Sequence, residues 1–142
     1  MPEQSLTVRE IIRHLEQWAP PQYQESYDNS GLLTGSPDMA VTGVLITLDC
    51  LESVVDEAVE KKANLIIAHH PIIFKGLPKL TGSTYVERTI IKAIRSGIAI
   101  YAIHTNLDNV ASGVNRKICQ RLGLINTRVL APKRQTLGKL VT

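Results

Sequence analysis

The sequence contains no apolar run near the ~20 residues that a membrane-spanning helix requires. Its opening, Met1-Pro2-Glu3-Gln4-Ser5, lacks the basic start and apolar stretch of a secretory signal. It has 2 cysteines, Cys50 and Cys119, far apart and outside any C-x-x-C pattern. Free thiols in a reducing compartment, and hence a cytoplasmic location, are expected. Several catalytic signatures are also missing. There is no G-x-x-x-x-G-K-[ST], G-x-S-x-G, H-E-x-x-H or strand-end G-x-G-x-x-G. Neither the H-x-H of many metal hydrolases nor a D-x-H opening is present, because Asp49 is followed by Cys50 and Leu51. These absences remove the commonest hydrolase and nucleotide-binding templates.

Acid is missing from the last 34 residues as well. Residues 1–108 carry 9 Lys+Arg against 13 Asp+Glu, whereas 109–142 carry 7 Lys+Arg and no acid, which makes up the net charge of +3. A basic segment of this kind can be a nucleic-acid footprint. Its charges are dispersed, however, and no aromatic residue lies among them for base stacking. A solvated helix face that meets acidic surface elsewhere in the protein or its assembly is the favoured expectation over a nucleic-acid footprint, and no membrane partner is expected.

What is present suits one compact α/β domain. Hydrophobic residues make up 44% of the 142 and charged residues 20%, enough apolar surface for a single core. Thr7-Val8-Arg9-Glu10 is a capping box, and Val8, Ile11, Ile12, Leu15 and Trp18 follow at helical spacing. Pro20-Pro21 ends that helix. Turn chemistry at Asp28-Asn29-Ser30-Gly31 and Gly35-Ser36-Pro37-Asp38 flanks a short apolar Leu32-Leu33. Strands are predicted over 41–48, 65–68 and 98–103, with a further one starting over 127–130. Helices are predicted over 52–62, 85–96 and 112–122. This alternation implies βαβ crossovers and a mostly parallel sheet flanked by helices.

Three of the four histidines directly follow predicted strands: His69 and His70 after Leu65–Ala68, and His104 after Ile98–Ile103, with Asp108 four residues on. The first strand likewise runs into Asp49. Ligands of open α/β sheets bind beyond the carboxyl ends of the strands, so these groups should share one edge. Imidazole with carboxylate suits zinc, manganese, iron or nickel. Adjacent residues diverge on an extended chain, and Pro71 keeps His70 extended, so the pair could serve two neighbouring ions. Two such ions about 3.5–4 Å apart polarise a substrate oxygen and activate water at neutral pH. Asp49 could instead cap the helix beginning near Glu52. His14 lies on the polar side of the first helix and is expected to be an ordinary surface residue. Lys75 and Tyr101 have no claim beyond proximity.

Two ions need about six or more protein ligand atoms plus waters. No histidine, aspartate or glutamate follows Asp108. Further ligands would therefore come from another chain or from sequence beyond Gly138-Lys139-Leu140-Val141-Thr142, and a fragment is expected.

Three stretches carry a family resemblance: Tyr27-Asp28-Asn29-Ser30-Gly31-Leu32, Ala68-His69-His70-Pro71-Ile72-Ile73-Phe74-Lys75-Gly76, and Tyr101-Ala102-Ile103-His104-Thr105-Asn106-Leu107-Asp108. In this order they resemble the GTP cyclohydrolase 1 type 2 homologues, also called Nif-three-like proteins. The resemblance implies that His69 and His70 are metal ligands, one for each of two ions, that Asp108 is the carboxylate ligand, and that His104 lines the site as ligand or proton-handling group. It also implies an N-terminal lobe over 1–137, the start of a PII-like insert over 138–142, a ligand motif H-x-x-x-E that this sequence lacks, and a toroidal homohexamer. Two functions follow: a metal-dependent hydrolase of a nucleotide or other small polar substrate, in which His104 is catalytic, or a non-catalytic metal-containing scaffold that binds a protein or nucleic acid.

Overall fold

The computed structural model describes residues 5–131. Helix α1 (Val8–Trp18) starts at Thr7 with the expected capping box: the Glu10 amide donates to Thr7 Oγ1 at 3.3 Å, and the Thr7 amide donates back to Glu10 Oε2 at 2.8 Å. Strands β1 (Gly31–Thr34) and β2 (Val44–Thr47) follow, then α2 (Glu52–Glu60), β3 (Leu65–Ala68), α3 (Tyr85–Arg95), β4 (Ala99–Ala102), the short α4 (Thr105–Asp108) and α5 (Val114–Arg121).

The sheet order is β1-β4-β3-β2. Strand β3 pairs in parallel with both β2 and β4, with Ile66 opposite Leu45 on one side and Ile100 on the other. Helices α2 and α3 are the crossovers that parallel pairing demands. Every residue of β3 and β4 is buried, because helices cover both faces of the two central strands. On one face, Val55 and Ala58 of α2 and Ile90 and Ala93 of α3 pack on Ile66, Ala68 and Ile100. On the other, Val8, Ile11, Ile12 and Leu15 of α1 pack on Leu65, Ile67, Ala99 and Tyr101. Each large side chain so buried contributes about 1.5–3 kcal/mol. Among the described residues, no helix is long and apolar enough to cross a membrane.

Three details differ from expectation. Trp18, placed by periodicity on the apolar face, is 47% exposed and donates its indole N–H to Ser112 Oγ at 2.8 Å. Leu32-Leu33 is part of a strand, antiparallel to β4, with Leu32 opposite Tyr101. Residues 127–130, expected to begin a strand, form none. The edge of β4 beside which such a strand could lie is already paired with β1. The expected insert over 138–142 lies outside the described residues.

Gly35, which closes β1, has φ +96°, and a Cβ there would sit 2.6 Å from Ala99 Cβ. Only glycine permits both that backbone and that approach of β1's end to β4.

Candidate metal centre

Because β2, β3 and β4 are parallel, their carboxyl ends lie along one edge. Asp49 follows β2, His69-His70 follows β3, and His104 and Asp108 follow β4. Strand β1 runs the opposite way, with Gly31 opposite Ala102. Its entry turn, Asp28–Ser30, therefore sits at the same edge. One antiparallel strand thus delivers a carboxylate to a site otherwise built from parallel strand ends.

The rings of His69, His70 and His104 form a mutually packed triangle, with centroids 5.1, 5.3 and 5.5 Å apart. One ligating nitrogen from each lies within 4.8 Å of the others, so this cluster can hold a metal ion. Each ring is held at its Nδ1. His69 Nδ1 lies 2.9 Å from the Ile103 carbonyl, His70 Nδ1 2.8 Å from Asp49 Oδ1, and His104 Nδ1 2.9 Å from Asp28 Oδ1. A carbonyl and two carboxylates can only accept, so each Nδ1 carries the proton and donates. In the neutral ring this leaves Nε2 as the lone pair. Outer partners of this kind fix tautomer and ring orientation in metal-ligating histidines and raise ligand basicity. Asp108 Oδ1 stands 3.6 Å from His69 Nε2.

Asp28 is the most deeply set of these carboxylates, its side chain 0% exposed. Burial alone would raise its pKa. Hydrogen bonds from the Thr105 hydroxyl, the His104 ring, the Ser30 hydroxyl and the Thr105 amide outweigh that and hold the carboxyl well below the usual range. The Thr105 hydroxyl accepts from the Glu25 amide at 2.9 Å, which turns its proton toward Asp28 Oδ2.

The structure thus brings His69, His70, His104, Asp108 and Asp49 to one edge, while His14 is exposed on α1. Asp49 holds His70 and caps no helix: the N-cap of α2 is Leu51, without a side-chain cap. The adjacent histidines do not point to opposite faces. Their backbone amides continue the ladder with β2, donating to Thr47 and Leu48 carbonyls at 3.0 and 2.9 Å, and their rings converge nonetheless. Tyr101 is a core residue on the α1 face, and Lys75 is exposed. Asp28 is the functional residue that local reading missed, since Asp-Asn-Ser-Gly is an ordinary turn by composition. Its partner His104 is 76 positions away, and only the family resemblance of the Tyr27–Leu32 stretch marked that segment.

Imidazoles with a neighbouring carboxylate are the donor set of zinc, iron, manganese or nickel. These residues fit such an ion by chemistry and by the fixed tautomers. The profile of the family Duf34/NIF3 (NGG1p interacting factor 3) matches residues 6–142. The chain is 41% identical over 127 residues to a GTP cyclohydrolase 1 type 2 homolog of Clostridium acetobutylicum, covering 89% of this chain and 47% of that protein. Against the Bacillus subtilis homolog of the same name it is 44% identical over 128 residues, covering 90% of this chain and 34% of the relative. It therefore spans less than half the length of these relatives. The crystal structure of a Bacillus cereus protein related to NIF3 superposes with TM-score 0.88 at 42% identity, covering 93% of this chain and 36% of that one. The chain belongs to the Duf34/NIF3 family.

Proposed function

We propose that this chain supplies the larger part of a dinuclear divalent-metal centre and that the centre serves hydrolysis of a small polar substrate. His69, His70 and Asp108 would hold the ions, and His104 faces the same space as a further donor or as the group that moves a proton. The observation that carries this reading is the set of three imidazoles held at Nδ1 with one ring nitrogen of each gathered within 4.8 Å of the others. A purely structural role for the histidines would need no such convergence of lone pairs. Bound divalent ions would polarise a substrate oxygen and make water nucleophilic at neutral pH.

The chain's own residues set the conditions for that chemistry. The Ile103 carbonyl and Asp49 keep the paired rings from turning. Asp28 fixes the His104 ring through Nδ1, so that its Nε2 is the nitrogen left for a proton or a ligand. Three imidazoles and one carboxylate are fewer donors than two ions need, which supports completion of the centre by groups outside the described residues. Exposed Ile46 (78%) and Leu48 (60%), on or just after the edge strand β2, support self-association of the protein.

Zinc or manganese titration with elemental analysis tests the centre. Wild-type protein takes up metal, and His69→Ala loses it. Hydrolysis of a nucleotide panel that persists undiminished in His69→Ala overturns the hydrolase assignment. Closed coordination without an open position would favour a structural metal instead.

A further inference from the structure

A cleft of about 670 Å³ opens beside the histidine cluster and shares Asp49 and His70 with it. Its volume lies within the range of small-molecule sites. It is lined by the chain after His70, the first turn of α3 and the link from β2 to α2. Three apolar side chains lining it are open to solvent: Leu51 at 46%, Phe74 at 45% and Tyr85 at 55%. Aromatic surface of this kind suits a flat ring, which packs on Phe and Tyr faces at low entropic cost.

The charges lining the cleft have one uncompensated member. Asp49 is engaged by His70. The Glu87 carboxylate accepts from the amides and hydroxyls of Thr81 and Ser83 and from the Thr84 hydroxyl, at 2.9–3.2 Å. Cys50 is 2% exposed and its thiol is pushed up to about 11 by burial, so it contributes no negative charge. Among the described residues, the Lys75 amine has neither ion pair nor hydrogen bond. The cleft therefore pairs exposed apolar and aromatic surface with a single free cation, at the margin of a metal-competent cluster.

We infer that this cleft binds the substrate as a small aromatic or heteroaromatic anion, its ring against Phe74 and Tyr85, its anionic group on Lys75 and its reacting end toward His70. The last element rests on the metal-centre reading. Ring and anion recognition do not, and can be measured without metal. Asp28 and His104 lie outside the cleft lining, so recognition and proton handling fall to different residues.

The probe is 1-naphthyl phosphate, titrated into the full 142-residue chain after chelation and desalting and followed by calorimetry and ligand-observed NMR. Saturable binding is expected, and Lys75→Met should weaken it about tenfold, the scale of one charge-assisted contact. Lys75→Arg should retain it. Neutral 1-naphthol should bind wild type and Lys75→Met alike, and Tyr85→Ala should weaken both ligands. Inorganic phosphate should bind far more weakly than the naphthyl ester. Equal affinity of wild type and Lys75→Met for 1-naphthyl phosphate overturns the inference. Binding that requires added zinc and vanishes in His69→Ala, but is indifferent to Lys75, overturns it while leaving the metal centre standing. A chain that takes up no metal yet binds the ester through Lys75 refutes the metal centre and upholds the cleft.

Discussion

Replacing Asp28 by Asn keeps the shape of the side chain and removes its charge. Five donors converge on the carboxylate. On Oδ1 these are the Asn29 amide at 2.7 Å and His104 Nδ1 at 2.9 Å; on Oδ2, the Ser30 hydroxyl at 2.8 Å, the Thr105 amide at 3.1 Å and the Thr105 hydroxyl. An asparagine offers one oxygen, so its NH2 must face either the His104 and Asn29 N–H groups or the Thr105 amide. A hydroxyl can rotate away from a donor, but an amide N–H cannot. At least one backbone N–H then loses its acceptor, at about 1–3 kcal/mol where it is shielded from water, as the Thr105 amide is. The surviving bonds lose their charge assistance, which roughly halves their strength. Removing a buried charge offsets part of this loss. The direction of the Asp28 pKa shows that the hydrogen bonds exceed the desolvation. A net destabilisation of about 2–3 kcal/mol follows, or about 5–10 °C in Tm for a chain of this size. The His104 ring also loses its fixed tautomer, and zinc affinity should fall about 10–100-fold, as for other outer-partner substitutions. Thermal denaturation of the metal-free protein and a competitive zinc titration read the two effects separately. Ser30→Ala, which removes one rotatable donor, should cost less on both measures. An Asp28→Asn protein with wild-type Tm and wild-type zinc affinity would refute the argument that this carboxylate organises the site.

Gly35→Ala places a methyl 2.6 Å from Ala99 Cβ at a backbone φ of +96°. Strain and overpacking together should cost about 2–4 kcal/mol in urea denaturation, and a change below about 0.5 kcal/mol would show that the β1–β4 approach is looser than described. Glu87 is lowered from 4.5 to about 2, first by the Thr81 amide and then by the Thr81 and Ser83 hydroxyls. Because its folded pKa lies below the unfolded value, its contribution is full above about pH 4.5 and is lost as pH falls toward 2. Denaturation midpoints should therefore separate wild type from Glu87→Gln above pH 5 and converge near pH 2; a separation that does not depend on pH would exclude the ionised carboxylate as its source.

Legibility of this fold from its sequence divides by the range of the interactions involved. The capping box at Thr7 and Glu10 is a contact three residues apart, and the helix it predicts begins where expected. The buried strand Leu65–Ala68 was legible because a strand covered on both faces must be apolar throughout. Strand β1 was not, since Leu32-Leu33 between two turns has neither length nor alternation. Its extended backbone is stabilised by pairing with β4, with Leu32 opposite Tyr101. Residues 127–130 show the converse: apolar residues suited to a strand, with the available edge of β4 already taken. Composition can propose a strand, but pairing decides whether one forms.

The site divides in the same way. His69, His70, His104 and Asp108 were legible because parallel strands bring their carboxyl ends together, so a strand-end histidine declares its location before any fold is known. Asp28 declares nothing locally. It reaches His104 only because β1 is antiparallel to its neighbours, which carries the start of that strand, and not its end, to the histidine edge. Had β1 joined β4 in parallel, Gly35 and Ser36 would lie beside the cluster and His104 would have no carboxylate at Nδ1. The tautomer of one imidazole thus depends on the direction of a four-residue strand, a dependence that enters only through pairing.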